Sequence, residues 1–449
     1  MATEHHFSTE QLTERFEFKP RYRNIVFGLI GIGLVLLLAG VFFADQPEAA
    51  DHAGEHGHTM LTEEPLAQPV ADTHGESHEA PGTGKRILAN VLISSVYFMT
   101  IALGALFFLA VHQVGNAGWH TAIRRVPEAI VSWLPVGAVG FAALFLFMSD
   151  LYEWAHLKVG DDALIDEKRA YLNTGFFIVR NLVFFGGWFG AAWFLRKWSV
   201  EQDSQASIDA GLPFFRRSTT LSAVFIIFFA ISFSLFAVDW VKSLEPHWFS
   251  TIFGVYMFGG SMVSAMVVIY LLLSFLQRQG YMSYVNAAHF HDVGKYTFGF
   301  SVFWAYIWVA QYLLIWYSNI PEEGIYYVKR YRVEDHAYMG YAFFFYANIF
   351  VNFITPFFLL MTRNAKRGIA TYLPVAIVLL YGHWHDLFLM IMPGAFGYNP
   401  GISLIEIGTY MVFAGAFLFV VFTALTRANL APLKHPYLEE SLHHSTGVV

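Results

Sequence analysis

The stretch LANVLISSVYFMTIALGALFFLAVHQ at residues 88–113 contains no lysine, arginine, aspartate or glutamate. At a rise of about 1.5 Å per residue, a helix of this length crosses the roughly 30 Å hydrocarbon core of a bilayer. The run lacks the apolar–polar alternation of a membrane strand and is about twice as long as one. Because backbone groups in lipid must be paired internally, the stretch predicts a transmembrane helix.

Similar apolar blocks recur along all 449 residues, and they predict an all-α integral membrane protein of about ten transmembrane helices. The composition agrees, because 56% of the residues are hydrophobic and 14% are charged, against roughly 25% charged in a soluble domain. The predicted spans are 25–44, 88–113, 128–150, 174–196, 219–240, 249–276, 297–318, 338–362, 371–392 and 403–426.

The spans and the distribution of positive charge together predict the topology. The predicted segments are a cytoplasmic head at 1–24, a first transmembrane anchor at 25–44, a histidine- and acid-rich external loop at 45–87, a membrane domain of nine further helices at 88–426 and a cytoplasmic tail at 427–449. With the N-terminus inside, 17 of the 27 lysines and arginines fall on the cytoplasmic side and 9 on the other. Positive residues accumulate in cytoplasmic loops, so both termini are predicted to be cytoplasmic.

The same residues argue against several classes of function. The chain has no cysteine, which excludes disulfides, thiolate zinc sites and iron–sulfur clusters held by its own side chains. The embedded histidines His383 and His385 are two positions apart on one predicted helix, so they face different directions and do not favour bis-histidine haem ligation. The net charge of −7 comes without a basic patch, so no nucleic-acid partner is predicted. No metal site is predicted.

Ionisable residues inside predicted spans are costly and therefore suggest a function. Those of the external half lie at similar depths, and they are Asp150, Glu153, Arg180, Asp239, His383, His385, Asp386 and Glu406. The polar residues of the inner half are His112, Glu128, Asn348 and Asn352. Carboxylates and imidazoles in such positions are suited to proton relay, so the set predicts a proton pathway with two half-channels. The structural alternative is that Arg180 neutralises one carboxylate and that the asparagines join helices.

An aromatic stripe occupies SVFWAYIWVAQYLLIWYSN at residues 301–319. Trp304, Gln311 and Tyr312 in this stretch are the candidates for a quinone contact. The commoner role of such aromatic residues is packing against neighbouring helices or anchoring at the membrane interface. Both interpretations stay open at this point.

Three stretches resemble the NrfD-like (PsrC-like) membrane subunits of respiratory complexes. They are DWVKSLEPHWFSTIFGVYMFGG at 239–260, FWAYIWVAQYLLIWYSNIPEE at 303–323 and LYGHWHDLFLM at 380–390. Among these subunits, the chain is most similar to the ActF family, the smaller of the two NrfD-like subunits of bacterial alternative complex III. The resemblance covers most of the chain outside the loop, and it implies NrfD-like helical bundles.

The resemblance also implies a place in the bacterial cytoplasmic membrane and a role in a quinol:cytochrome c, or other acceptor, oxidoreductase. The implied partners are a larger NrfD-like subunit, an iron–sulfur subunit and c-type cytochrome subunits, which carry the iron–sulfur clusters and haem c. This chain would bind no redox cofactor itself, apart from a quinone or quinol, and would meet lipids and menaquinol or ubiquinol. Its implied contribution is proton translocation or energy coupling. A secondary transporter and a structural scaffold for a redox subunit are the alternatives.

Overall fold

A computed structural model describes residues 8–44, 82–331, 340–397 and 401–445 of the chain. Within these ranges the regular structure is entirely helical, and ten helices are long and apolar enough to cross a membrane. For the described residues, the prediction of an all-helical chain with about ten helices able to span a membrane is therefore confirmed. Most of the predicted external loop at 45–87 lies outside the described residues.

Each of the ten helices overlaps one predicted span. They are α1 (Pro20–Ala44), α2 (Thr83–Val114), α3 (Arg125–Phe145), α4 (Thr174–Asp203), α5 (Ile208–Leu244), α6 (Phe253–Arg278), α7 (Ala287–Ser318), α8 (Tyr341–Leu359), α9 (Ile369–Ala395) and α10 (Leu404–Leu425). The difference between a predicted and an observed helix end matters most at α3, which was predicted to end at residue 150 and ends at Phe145. Asp150, predicted to close that span, lies beyond it in the short helix Met148–Leu151.

The two terminal segments meet at one end of the bundle. The backbone N–H of Leu430 donates to the carbonyl of Glu14 at 2.9 Å, and Arg15 Nε donates to Asn429 Oδ1 at 2.9 Å. We call this the terminal end and the opposite one the distal end. Both segments lie at one end because the number of crossings is even. The assignment of the terminal end to the cytoplasm stays a prediction from the charge distribution.

Helices α2, α6 and α9 form the centre of the bundle. Their apolar windows are 89%, 83% and 78% buried, whereas that of α1 is only 17% buried. α1 instead packs closely along α10 at the edge of the bundle. A Cβ atom at Gly408 would lie 2.5 Å from the Leu37 backbone nitrogen, and one at Gly33 would lie 2.9 Å from the Gly408 carbonyl oxygen. Small residues thus allow the two backbones to touch, as is usual between membrane helices.

Helix α8 is interrupted by a wide π-helical turn at Phe350–Ile354. Pro356 follows it and has no N–H to donate to the preceding turn, and Thr355 Oγ1 instead donates to the Phe350 carbonyl at 2.9 Å. π-Helical turns change the angular register of a helix and recur at functional sites. Asn352 lies in this turn and is fully buried.

Candidate functional site

Asp386 is the centre of a buried polar cluster formed by four helices. It lies on α9, nine residues before the helix ends at Ala395, or roughly 14 Å along the axis from the distal end. Its carboxylate accepts hydrogen bonds from Asn348 Nδ2 of α8 at 2.7 Å and Trp304 Nε1 of α7 at 3.1 Å. The Tyr256 hydroxyl of α6 donates a third.

An asparagine pair extends this cluster from Asp386 toward the terminal end. Asn352 Nδ2 donates to Asn348 Oδ1 at 2.6 Å and to the carbonyl oxygen of Gly382 at 2.9 Å. A Cβ atom at position 382 would lie 2.2 Å from Asn352 Oδ1. The close approach of α8 and α9 therefore requires glycine at this position.

Two cavities of about 20 Å³ flank Asp386, one on each side. Each is large enough for one water molecule. The first, the His383 cavity, has polar walls formed by Tyr97, Thr100, Ser261, Ser264, His383 and Asp386. The second, the Arg330 cavity, has polar or aromatic walls formed by Tyr256, Trp308, Gln311, Tyr326, Tyr327, Arg330, Phe345, Asn348 and Asp386. Asp386 thus borders two separate polar spaces, and neither has room for a quinone head group.

Asp386 differs from the other buried carboxylates in its charge environment. Among the described residues it is the one buried carboxylate without a lysine or arginine partner. The other pairs are Arg86–Glu406, Arg124–Glu128 and Arg180–Asp239, each at 2.8 Å, and Lys295–Asp292 at 2.5 Å. Buried charges are normally paired because desolvation is costly. Three neutral donors hold Asp386 instead, so a proton can be gained or lost there without breaking an ion pair.

The two histidines of α9 occupy different surroundings. His383 lies next to the midpoint of α9 and borders the His383 cavity, with its ring 5.7 Å from that of Trp304. His385 points elsewhere, and its ring stacks on Tyr381 at 5.6 Å. In the described part of the chain, no ring nitrogen of either histidine has a hydrogen-bond partner. His383 therefore belongs to the Asp386 cluster, and His385 does not.

Arg180 and Asp239 form a separate clamp between α4 and α5. Arg180 Nε and Nη2 donate to the two carboxylate oxygens of Asp239, both at 2.8 Å. Tyr171 adds a hydroxyl donor at 2.8 Å and Asn181 an amide donor at 3.1 Å. A bidentate pair of this kind fixes geometry as well as charge. This arrangement matches the structural alternative, in which Arg180 neutralises one carboxylate. Within the described part of the chain, neither residue of the pair lines the two cavities that border Asp386.

The remaining predicted acids of the distal half also lie apart from Asp386. Glu406 caps the start of α10 by accepting from the Ser403 backbone N–H at 2.8 Å, and it pairs with Arg86. Asp150 and Glu153 are exposed. The sequence placed these acids at similar depths, but they are distributed over different helix interfaces and the surface.

The predicted inner residues form two groups near the terminal end. His112 Nδ1 lies 2.8 Å from the Phe108 carbonyl, and its Nε2 lies 3.1 Å from the Tyr296 hydroxyl. The neighbouring His120, outside the membrane helices, has a pKa well below its ordinary value because it is buried, with His112 adding to the effect. Glu128 is held by Arg124 and Arg125, at 2.8 and 2.7 Å.

Sequence reasoning named Trp304 but missed Thr297 and Ser301, which together with Trp304 form a polar stripe on α7 between these groups and Asp386. Thr297, Ser301 and Trp304 are spaced to share one helix face, and all three are at most 1% exposed. Thr297 Oγ1 lies 2.6 Å from the Tyr372 hydroxyl, and Ser301 donates to the Thr297 carbonyl at 2.9 Å. The i, i+4, i+7 spacing of these three residues, which begins just before the aromatic stretch at 301–319, was the available signal.

Arg330, also missed, closes the Arg330 cavity at the distal end. It belongs to the short helix Pro321–Tyr331 and is 2% exposed. Its Nη2 lies 2.6 Å from Glu245 Oε2, and its guanidinium lies 3.4 Å from the centre of the Tyr326 ring. Burial acts to lower the pKa of Arg330, but Glu245 raises it above its ordinary value. The sequence offered no signal for Arg330, because it lies outside the apolar spans.

The three residues of the predicted quinone contact have different roles. Trp304 donates to Asp386. Gln311 borders the Arg330 cavity and donates to the Tyr327 hydroxyl at 3.0 Å. Tyr312 is half-buried, with its ring 5.2 Å from that of Tyr327. These contacts are those of helix packing and of the Asp386 cluster.

No family model matches the chain, and a search of the curated proteins gives no match. The observations that bear on function are therefore the geometry around Asp386 and the resemblance of the stretches 239–260, 303–323 and 380–390.

Proposed function

We propose that this chain is an energy-coupling membrane subunit of a respiratory quinol:electron-acceptor oxidoreductase, and that Asp386 is its proton-exchanging group. The single observation that carries the proposal is the position of Asp386. It is a buried carboxylate with no cationic partner among the described residues, and it lies between two water-sized polar cavities. A group that borders both cavities can exchange a proton with each of them.

Protonation of Asp386 also has a mechanical consequence. A carboxylate only accepts hydrogen bonds, whereas a protonated carboxyl carries one O–H donor and has less capacity to accept. Asp386 accepts from Tyr256, Asn348 and Trp304. Adding a proton must weaken at least one of these bonds, and each leads to a different helix. The charge state of one residue is thereby linked to the packing of α6, α7 and α8.

The pathway on the terminal side begins with the His112–Tyr296 pair. From there the hydroxyls of Thr297 and Ser301 lead along α7 to Trp304 and the Asp386 cluster. A water molecule in the His383 cavity would link the imidazole of His383 to the carboxylate, since ordered water is nearly as good a hydrogen-bond partner as a protein group.

The pathway on the distal side crosses the Arg330 cavity. Its far wall is the Arg330 guanidinium, which is paired with Glu245. A proton that leaves Asp386 reaches this ion pair through one water molecule. The fixed positive charge also hinders direct passage of hydronium, so that the two sides do not form an open pore.

The resemblance to NrfD-like subunits supports placing this exchange beside quinol oxidation in a bacterial cytoplasmic membrane. In this proposal the larger NrfD-like subunit, the iron–sulfur subunit and the c-type cytochromes carry the electrons of menaquinol or ubiquinol. Electron transfer in those partners changes the electrostatic field at Asp386 and so alters its proton occupancy. Quinol oxidation itself is assigned to the partners.

The test is proton translocation by the intact complex in proteoliposomes with Asp386→Asn. Asparagine keeps the shape of the side chain but cannot exchange a proton. We expect electron transfer to continue with a lowered ratio of protons to electrons. The matched control is Asp150→Asn, at an exposed position, which is expected to leave the ratio unchanged. An unchanged ratio with Asp386→Asn contradicts the proposal.

A further inference from the structure

A cleft of about 420 Å³ opens at the distal end, away from Asp386. One wall comes from the segment that precedes α4, the other from the end of α5 and the residues after it. The lining residues are Glu167, Lys168, Ala170, Tyr171, Leu172, Val238, Lys242, Ser243, Pro246 and Phe249. The volume falls within the range of about 300–1,000 Å³ that is usual for small-molecule sites.

Two ammonium groups line the cleft. Lys168 Nζ donates to the Pro246 carbonyl at 2.6 Å. Lys242 is only partly exposed, and within the described ranges its ammonium has no hydrogen-bond or ion-pair partner. By contrast, the buried Lys366 Nζ donates to two backbone carbonyls, at 2.7 and 2.9 Å. Since an ammonium has three donors, both cleft lysines can bind a further acceptor.

The rest of the lining is largely apolar. Leu172, Val238 and Phe249 contribute to the walls, and Phe249 is 55% exposed. Glu167 is exposed and forms no ion pair with either lysine in the described structure. The cleft therefore combines two cations with a hydrocarbon surface, at the level where membrane helices reach the head groups. This combination is complementary to a phosphate ester that carries an acyl chain.

We propose that the cleft binds a membrane phospholipid, with its phosphate between Lys168 and Lys242. An acyl chain then lies along the wall that contains Val238. Tyr171 connects this site to the neighbouring clamp, because its ring lines the cleft and its hydroxyl donates to Asp239 at 2.8 Å. A bound lipid thus stabilises the α4–α5 interface. The site is independent of Asp386 and of the proposed function.

The test measures lipid binding to the full chain, solubilised in mild detergent and stripped of lipid. The probes are phosphatidylglycerol and, separately, inorganic phosphate, with binding followed by native mass spectrometry and by the thermal midpoint. A basic residue near a membrane surface contributes about 1 kcal/mol to the binding of anionic lipid, or roughly five-fold in affinity. We therefore expect Lys242→Gln to weaken phosphatidylglycerol binding about five-fold, and the Lys168→Gln/Lys242→Gln double variant to weaken it more than ten-fold.

Three further variants separate the charge of the cleft from general effects. Lys242→Arg keeps the charge and is expected to keep binding. Glu167→Gln removes the negative charge from the lining and is expected to strengthen it. Lys158→Gln, an exposed lysine outside the cleft, is expected to change nothing.

Several results would overturn the proposal. Equal lipid affinity of the wild type and the double variant would exclude the lysines as the phosphate site. Binding of inorganic phosphate as tight as that of phosphatidylglycerol would show a free-anion site in place of a lipid site. A partner subunit cross-linked through Lys242 in the intact complex, with no lipid retained, would show that a protein fills the cleft.

Discussion

Substituting Gly382 tests the contact that holds α8 against α9 beside Asp386. The carbonyl of Gly382 accepts from Asn352 Nδ2 at 2.9 Å. A Cβ atom at 382 would lie 2.2 Å from Asn352 Oδ1 and 2.5 Å from Val351 Cγ1, whereas real Cβ atoms essentially never come within 3.0 Å of such non-bonded heavy atoms. Normal contact distances are about 3.5–4.0 Å, so Gly382→Ala must displace one of the helices or side chains by about 1 Å.

The cost follows from the groups that move. Overpacking a tight interior costs about 1–3 kcal/mol, and a hydrogen bond between membrane helices contributes about 0.6 kcal/mol on average. Two bonds of Asn352 are at risk, one to Gly382 across the α8–α9 contact and one to Asn348 within α8. We expect Gly382→Ala to lower the free energy of unfolding by about 2–4 kcal/mol. Proton translocation should also fall, because Asn348, which donates to Asp386, loses the hydrogen bond that it accepts from Asn352.

The assay is reversible unfolding of the full chain in mixed micelles, with proton translocation measured on the same variants. Gly299→Ala is the control, because no atom outside its own helix lies within 4 Å of a Cβ added there; alanine should be neutral or slightly stabilising in that helix. Adding Asn352→Ala to Gly382→Ala should recover part of the lost stability, as expected for residues in contact. If Gly382→Ala kept the stability and the proton translocation of the wild type, the proposed role of the α8–α9 contact at Gly382 would be refuted.

The other predictions concern different parts of the molecule. Asp239→Asn leaves Arg180 buried without its counter-charge and should destabilise the chain by about 3–5 kcal/mol, measured by the same unfolding assay, while the proton ratio of the surviving complex stays unchanged. Tyr256→Phe removes one donor to Asp386 and should slow translocation while the folded chain is retained; an unaltered rate would argue against the cluster. His435 is buried in the C-terminal segment at residues 427–445. Burial, reinforced by nearby arginines, holds the pKa of His435 well below its ordinary value while this segment is docked on the bundle. When the segment is released, His435 takes up a proton that it does not bind in the docked state. Docking should therefore weaken as pH falls below about 6.5, by up to about 1.4 kcal/mol per pH unit, and limited proteolysis of residues 427–445 should accelerate in acid but not between pH 7 and 8.

The membrane architecture could be predicted from the sequence because it depends on local composition. A run such as 88–113 has to be a helix in lipid whatever surrounds it. Helix ends were less certain, since they depend on turns and caps, and the position of Asp150 outside α3 is the result. The shared helix face of Asn348 and Asn352 was also predictable from their spacing.

The membership of the Asp386 cluster was not predictable, because its donors come from separate helices. Tyr256, Trp304 and Asn348 are brought together by tertiary packing, which a single sequence does not encode as spacing. For the same reason the sequence could offer only one unspecified carboxylate as the partner of Arg180. The sequence prediction grouped several acids because they lie at similar depths in the membrane. Depth alone does not specify the direction in which a side chain points around the bundle.

If Asp386 exchanges protons as proposed, its protonation state changes during turnover, and infrared difference spectroscopy of the intact complex detects such a change. On quinol oxidation, we expect a carboxyl C=O signal that disappears in Asp386→Asn and persists in Asp150→Asn. A wild-type spectrum without a carboxyl change, or a change that survives Asp386→Asn, would contradict the proposal.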